Sequence, residues 1–323
     1  MKKLETQKID RVFWRFCEKQ YGYKDSNPTI QKFLVTMLVT YMDAQMNGNE
    51  PKTWKTFVSS KKNDAVVFIK NLMNNEESNE FYDGFASKVA DELNVAGLIT
   101  QIPLADVVSS DALKEFDDNI IDWIAAKLED QMLDEKISGT TIPEICEIRS
   151  KSGYHFSSVY REKYQMLIAA YHVLKEVSLH RYQSTIKEAV EDYVGGTYLI
   201  DTYYRKFYYY LDRIGMDTNI EKIRDLVENM YTNKYLTDFA NKWNQSLTDE
   251  EYDAYTEIRQ EEFFSHFVRP FMSESGGGRV VVIISDGMRY ECARELLDNY
   301  SNAHGTPWVY SHQKIGKLVG MPV

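Results

Sequence analysis

The carboxylate of Asp286 lies at a position in the sequence where it could bind a metal ion. Residues 280–284 form an unbroken run of β-branched residues, and Ser285, Asp286 and Gly287 follow it directly. An apolar run without alternation is typical of a strand buried on both faces, as in a parallel sheet. Open α/β sheets bind their ligands at the carboxyl ends of the strands. The pattern therefore predicts a strand over residues 280–285, with Asp286 accessible at its end as a metal ligand.

A purely structural role for Asp286 stays open at this point. Residues 288–299 are predicted to form a helix, and Asp is a favoured N-cap residue. Arg289 occupies the position at which a complete capping box would have Glu or Gln, so the cap would be incomplete.

A second pattern of possible chemistry is a group of tyrosines interleaved with Arg205 and Lys206. Aromatic and cationic residues in alternation can stack on single-stranded nucleic acid and neutralise it. The alternative, which we favour because the chain is acidic, is a helix that packs its aromatic side chains in a helical core. The tyrosines are Tyr193, Tyr198, Tyr203, Tyr204, Tyr208, Tyr209 and Tyr210.

Two further patterns carry weaker signals. The glycines at residues 276–278 precede the predicted strand and are not followed by Gly-Lys-Ser/Thr, so they indicate a connector and not a phosphate-binding loop. His304 and His312 follow Asp286 and could approach it as metal ligands, although no HExxH or comparable spacing supports this.

Composition limits the class of protein. The 323 residues suffice for two domains, and 43% hydrophobic and 13% aromatic residues predict a substantial core. The net charge of −11 argues against non-specific nucleic-acid binding by the whole chain.

The cysteines indicate neither a disulfide framework nor a zinc ribbon, because Cys17, Cys146 and Cys292 are odd in number and lack a CxxC. The N-terminal residues lack the apolar core of a signal peptide, and no apolar run is long enough to span a membrane. We therefore expect a cytoplasmic protein with no membrane partner.

The elements that must position these residues are predicted to be mostly helical. Helices are expected over residues 4–20, 81–93 and 110–133, and another begins at an Asn27 N-cap and continues through Met46. Residues 65–69 and 97–102 are predicted as short strands of a possible small α/β unit. Long helices fill residues 157–271, with a break at Gly195–Gly196 and capping boxes starting at Thr218 and Thr248.

The fold class predicted from these elements is mainly α with α/β parts. The expected domains are an N-terminal mainly helical region (1–150), a helical region (151–272), a linker (273–278) and the start of an α/β domain (279–323).

Residues 280–297 resemble the opening strand, turn and helix of the PglZ domain, a branch of the alkaline phosphatase superfamily. The resemblance lies in an apolar strand followed by Ser-Asp-Gly-Met-Arg-Tyr-Glu at residues 285–291. Residues 198–208 and 226–235 look like the helical region that precedes that domain, and residues 13–14 and 54–57 do so more loosely. The resemblance covers the chain up to about Tyr300.

This resemblance implies metal-dependent phosphoester hydrolysis, by a phosphatase or a phosphodiesterase/nuclease. Two divalent metals (zinc, manganese or magnesium) would be held by Asp and His side chains, and Asp286 matches the family's first metal-binding Asp. Residues 310–316 align with the family's nucleophile segment, with Gln313 at the expected Thr and Ser311 as the nearby candidate nucleophile. The chain is therefore expected to be an N-terminal portion truncated within the PglZ domain, and inactive alone.

The resemblance also implies partners. PglZ proteins act in bacterial phage defence, in BREX or phage-growth-limitation systems, with a DNA methyltransferase and ATPases. The alternative is a non-catalytic scaffold that docks other defence proteins, so whether this chain is itself an enzyme stays open.

Overall fold

The computed structural model describes residues 9–75, 77–215, 218–248, 262–274, 281–282 and 285–303. By backbone contacts the chain divides into two compact units, one of residues 1–171 and 209–223 and the other of residues 172–208 and 224–323. In the described ranges, no helix combines the length and apolarity needed to cross a bilayer.

The first half of the chain is a series of helices with one hairpin. The elements are α1 (Asp10–Tyr21), α2 (Ile30–Gln45), a 3-10 turn (Lys55–Phe57), α3 (Lys62–Asn74), α4 (Asn79–Glu92), α5 (Val95–Leu98), a 3-10 turn (Ile99–Gln101), α6 (Leu104–Ser109), α7 (Lys114–Glu129), β1 (Lys136–Ile137), β2 (Thr140–Thr141) and α8 (Ile142–Arg149).

The second half is mainly helical in its described ranges, with loops between some of the helices. The elements are α9 (Ser157–Leu179), α10 (Ile186–Asp192), a π-helical turn (Tyr193–Thr197), α11 (Tyr198–Ile214), α12 (Thr218–Glu228), a π-helical segment (Asn229–Leu236), α13 (Thr237–Ser246), a π-helical turn (Phe264–Val268), α14 (Arg269–Glu274) and α15 (Tyr290–Ala303). The predicted mainly-α fold class is confirmed, and the sheet found in the described residues is the antiparallel pair β1–β2.

Helix α2 is the centre of the first unit. The Thr29 side chain caps it by accepting a hydrogen bond from the backbone N–H of Lys32, as a β-region N-cap does. From Phe33 to Asp43 all but one of its residues are buried. A helix that is apolar on most sides lies inside a core, and α3 packs against this one.

The predicted strands at residues 65–69 and 97–102 are wrong. Residues 65–69 lie inside α3, whose buried residues Ala65, Ile69 and Met73 recur every four positions. Residues 97–98 lie in α5 and residues 99–101 in the 3-10 turn that follows it, which ends directly before Ile102. Apolar runs of five residues do not distinguish a strand from a buried helical stripe, so length and the flanking residues decide.

Other predicted boundaries are corrected by two to four residues. The cap of α2 is Thr29 and not Asn27, whose N–H donates instead to the Asp25 carboxylate. The predicted helix 110–133 is shorter, as α7. Gly196 has non-helical dihedrals, so the break predicted at Gly195–Gly196 is confirmed as a kink. Helix α12 begins at Thr218, whereas the start predicted after Thr248 lies outside the described residues.

A buried ion pair joins α7 and α8 in the first unit. The Arg149 guanidinium donates to both carboxylate oxygens of Asp117, at 2.8 and 2.6 Å, and both side chains are almost completely buried. Arg149 also donates to the carbonyls of Val108 and Ser110, and the Tyr164 hydroxyl donates to Asp117. Every charge in the group therefore has partners, as a buried pair requires.

Replacing Asp117 by Asn leaves Arg149 buried beside a neutral side chain, so we expect a loss of about 3–5 kcal/mol of unfolding free energy, measured by urea denaturation. The matched control is Glu162→Gln, which removes the exposed partner of Arg213. We expect the control to leave the denaturation midpoint unchanged, and equal midpoints for the two variants would contradict this account.

Candidate functional site

The turn that carries Asp286 directly precedes α15. Asp286 and Gly287 form the turn, and both are exposed. Gly287 has a φ of +73°, a conformation that favours glycine. Helix α15 begins at Tyr290, and the N–H of Ala293 donates to the carbonyl of Arg289 at 3.1 Å. Arg289, not Asp286, therefore stands at the N-cap position, so helix capping does not account for Asp286.

The strand predicted over residues 280–285 is absent from the part of it that the structure describes. Val281, Val282 and Ser285 are in no strand, and Val281 is 83% exposed; residues 280, 283 and 284 lie outside the described residues. An apolar strand of this kind needs paired neighbours that cover its faces, and in the described ranges no strand lies beside Val281.

The turn is followed by a cation, Arg289, that is shared between two buried carboxylates. Its Nη2 lies 3.5 Å from Oδ2 of Asp201, and its Nε lies 3.1 Å from Oε1 of Glu291. The Glu291 side chain is fully buried and that of Asp201 is 7% exposed, whereas Arg289 is 57% exposed. A buried carboxylate without a cation or donors is costly, so this one guanidinium stabilises both.

The ionised form of Arg289 is favoured by its surroundings. Partial burial acts against the charge, but hydrogen bonding with Tyr231 and the charges of Asp201 and Glu291 outweigh it and raise the pKa of Arg289. The Arg289 side chain therefore stays a cation at any pH at which the protein folds.

Asp201, on α11, also accepts hydrogen bonds from two tyrosine hydroxyls. Tyr193 donates to it at 2.5 Å and Tyr231 at 2.7 Å. Burial, and then the charge of Asp201, raise the pKa of both tyrosines, so each remains a hydrogen-bond donor. Short bonds to a charged acceptor are among the stronger hydrogen bonds in proteins.

Helix α15 makes further contacts with α11. Glu295 pairs with Arg205 and, at 2.8 Å, with Lys206. Burial raises the pKa of Glu295, but the bonds from Lys206 and Arg205 outweigh it and lower the pKa. The Tyr290 ring packs edge-on against Tyr198, with ring centroids 5.4 Å apart. Arg289, Tyr290 and Glu295 thus fix α15 on α11, and the helix in turn fixes the chain where the Asp286 turn ends.

The tyrosines of α11 are neither a basic surface nor a core. Tyr198, Tyr203, Tyr204 and Tyr208 are half-buried and Tyr209 is exposed, so the prediction that they lie mainly in the core is only partly correct. Tyr204 and Tyr208 donate to the Glu228 carboxylate at 2.8 and 2.7 Å. Tyrosines that donate to a carboxylate lie beside a negative charge, which repels the phosphates of a nucleic acid. These contacts therefore weaken the nucleic-acid interpretation.

The predicted catalytic and metal residues are only partly described. Asp286 is exposed at its turn, while Ser311, His304, His312 and Gln313 lie outside the described residues. In the described ranges, no three His, Cys, Asp or Glu side chains come together as metal ligands. A divalent metal centre needs several such ligands, so the described residues alone do not fit one, and Asp286 stays a predicted ligand.

The residues that sequence reasoning missed are those that position the turn. Asp201, Tyr231, Arg289 and Glu291 lie in the segments whose resemblance was noted, yet no role was predicted for them. The signal available was an Asp in residues 198–208, a Tyr in residues 226–235 and an Arg and a Glu in residues 285–291, but nothing in the sequence pairs residues this far apart.

Comparison with known proteins gives two curated relatives. The chain is 33% identical over 296 residues to the alkaline phosphatase-like protein PglZ of Bacillus cereus (strain H3081.97), covering 89% of this chain and 33% of the relative. It is 25% identical over 311 residues to the alkaline phosphatase-like protein BrxZ of Escherichia coli O9:H4 (strain HS), covering 91% of this chain and 35% of the relative. The chain thus spans about a third of their length. No protein-family model and no solved structure matches it.

Replacing Arg289 by Gln leaves Asp201 and Glu291 without their shared cation, so we expect α15 to open more easily. Amide hydrogen exchange in residues 293–299 should accelerate about tenfold, the loss expected for one charged hydrogen-bonding group. Asp298→Asn, at an exposed position of the same helix, is the control and should exchange like the native chain. Equal exchange in Arg289→Gln and the control would show that this cation does not hold the helix.

Proposed function

The chain belongs to the PglZ family of alkaline phosphatase-like proteins, and from this premise we propose that it is a component of a bacterial phage-defence system of the BREX type. The proposed chemistry of the complete family site is metal-dependent phosphoester hydrolysis, by a phosphatase or a phosphodiesterase/nuclease. Asp286 is the proposed metal ligand and Ser311 the candidate nucleophile.

The observation that supports this proposal is the exposure of Asp286 on a turn whose following residues are anchored. Asp286 is exposed on a turn with a left-handed glycine, and the next residues are held by buried carboxylates and not by an apolar strand. A metal ligand must be accessible and fixed by surrounding hydrogen bonds. The exposure of Asp286 supplies the first property, and the contacts of Arg289 with Asp201 and Glu291 anchor the chain directly after the turn.

The proposed role of residues 1–323 is to position the site and not to complete it. In two-metal sites, the bound ions stabilise the attacking and leaving oxygens of the displacement. In the described residues Asp286 belongs to no group of three or more His, Cys, Asp or Glu side chains that could hold a metal, and a carboxylate outside such a group binds a divalent ion weakly. We therefore expect little or no hydrolysis by this chain alone.

The proposed partners are the other proteins of the defence system, a DNA methyltransferase and ATPases. A second candidate role, docking of those proteins without catalysis, is favoured by one feature of α1. Val12 is 65% and Phe16 55% exposed, and each directly follows an exposed arginine, Arg11 and Arg15. Exposed apolar side chains rimmed by charge are typical of protein-binding surfaces.

The test is an assay of residues 1–323 with zinc, manganese or magnesium against an aryl phosphate monoester and a phosphodiester. We expect the native chain and Asp286→Ala to be indistinguishable, because a single ligand cannot orient an in-line displacement. Asp298→Ala, an exposed acid on α15, is the matched control. Metal-dependent turnover that Asp286→Ala abolishes and Asp298→Ala retains would show that the chain completes the site.

A further inference from the structure

Helix α1 packs on the rest of the first unit along one side. Cys17 is buried, and the rings of Trp14 and Tyr21 contact those of Tyr23 and Phe33, with centroids 5.7 and 5.5 Å apart. The buried and half-buried residues of α1 thus occupy one face, as expected of a surface helix. The opposite face remains exposed.

The exposed face carries a row of apolar side chains. Ile9, the residue before the helix, is 42% exposed, and Val12 and Phe16 are 65% and 55% exposed. Positions three and four apart lie on the same side of a helix. These residues, the apolar row, therefore form a ridge about 10 Å long at 1.5 Å per residue. An apolar ridge on the side that does not pack is typical of a binding surface.

A row of cations lies directly beside the apolar row. Arg11, Arg15 and Lys19, the basic row, are exposed and four residues apart, so they also share one side of α1. Within the described ranges none of them forms an ion pair or a hydrogen bond. Glu18, on the same helix, pairs with Lys24 at 3.6 Å instead. The basic row is therefore available to the carboxylates of a partner, although the chain as a whole is acidic.

We propose that α1 binds an acidic amphipathic helix of a partner protein. The apolar side chains of that helix would cover the apolar row, and its carboxylates would pair with the basic row. A helix supplies both groups at the right spacing, because its own residues three and four apart form adjacent rows with the same rise. The apolar contact contributes most of the affinity, and the charges at its rim set the orientation and the choice of partner.

Other occupants match the two rows less well. A nucleic acid would neutralise the basic row but leave the apolar row uncovered. A membrane would bury the apolar row alone, whereas helices that bind membranes use a wide apolar face, and the other apolar side of α1 is packed in the first unit. A second α1 presents the same basic row. Residues 1–8 contain Lys2, Lys3 and Lys8 against one acid, Glu5, so they offer no acidic row either.

This inference rests on the second candidate role, the docking of other proteins, and names the chemistry of the partner at one surface. It uses neither Asp286 nor the contacts of Arg289. A peptide that fails to bind α1 would leave the proposed hydrolytic site unaffected, and the outcome of the hydrolysis assay does not alter the binding measurement.

The experiment titrates residues 1–323 against a labelled peptide of about 15 residues, cross-linked to hold its helix. The peptide has leucines at three- and four-residue spacing and a row of glutamates beside them, and fluorescence anisotropy gives its Kd. We expect saturable binding that weakens at least tenfold when the glutamates are replaced by glutamine. The double variant Arg11→Glu/Arg15→Glu should weaken binding of the glutamate peptide at least tenfold. It should bind a peptide with lysines in place of the glutamates more tightly than the native chain does.

The apolar row is tested by Phe16→Ser, which should weaken binding about tenfold, as the loss of a central apolar contact does. The matched control is Phe81→Ser on α4, because Phe81 is also 55% exposed. Lys88→Glu, at an exposed lysine of the same helix, is the control for charge. Both controls should bind the peptide like the native chain, and circular dichroism verifies that each variant folds.

The proposal is overturned if the peptide does not saturate by about 1 mM, if its glutamine form binds as tightly, if the lysine peptide does not favour the charge-reversed chain, or if the controls weaken binding as much as Phe16→Ser. Vesicles of phosphatidylcholine and phosphatidylglycerol and a DNA duplex are titrated in parallel. Tighter binding to either than to the peptide, lost in Arg11→Glu/Arg15→Glu, would identify a different occupant and overturn the proposal. Self-association in sedimentation that the same variant abolishes would identify a second copy and would also overturn it.

Discussion

The contact of Arg289 with Asp201 and Glu291 is the constraint on which the candidate site depends. Two buried carboxylates, 90 residues apart in the chain (291 − 201), meet at one guanidinium. Each would be costly to bury alone, so the shared cation makes the approach of α15 to α11 favourable. Residues before the turn contribute little, because Val281 and Val282 are exposed. The position of Asp286 therefore follows from charge pairing downstream of it, and not from an apolar strand upstream.

Local patterns in the sequence predicted much of the secondary structure. They did not predict contacts between residues that are far apart in the chain. The mainly-α class and the kink at Gly195–Gly196 followed from periodicity and glycine placement. The short apolar run at 65–69 was misassigned because its length fits a strand and a helical stripe equally well. The exposed position of Asp286 fits the prediction made from its motif, but its metal-binding role stays a prediction. The pairing of Arg289 with Asp201 has no local signature, since it depends on tertiary packing.

Two of the segments that resemble PglZ proteins, residues 198–208 and 285–291, contact each other in the structure through Asp201, Tyr198, Arg289 and Tyr290. This gives a physical reason why they occur together in one chain: the helical segment supplies the acceptor and the aromatic surface on which the motif rests. The relatives are about three times as long as the part that matches. We therefore propose a positioning role for the described residues, and hydrolytic chemistry stays a proposal for the complete site.

The most direct test of this account is a double-mutant cycle between Asp201→Asn and Arg289→Gln, with the opening free energy of α15 measured by amide hydrogen exchange at residues 293–299. If the two side chains stabilise the helix as a pair, the account predicts a coupling of about 1 kcal/mol, at the lower end for charged neighbours because Arg289 is largely exposed. Effects that add within about 0.3 kcal/mol would contradict it, since they would show that Arg289 and Asp201 act independently and that something else holds the Asp286 turn in place.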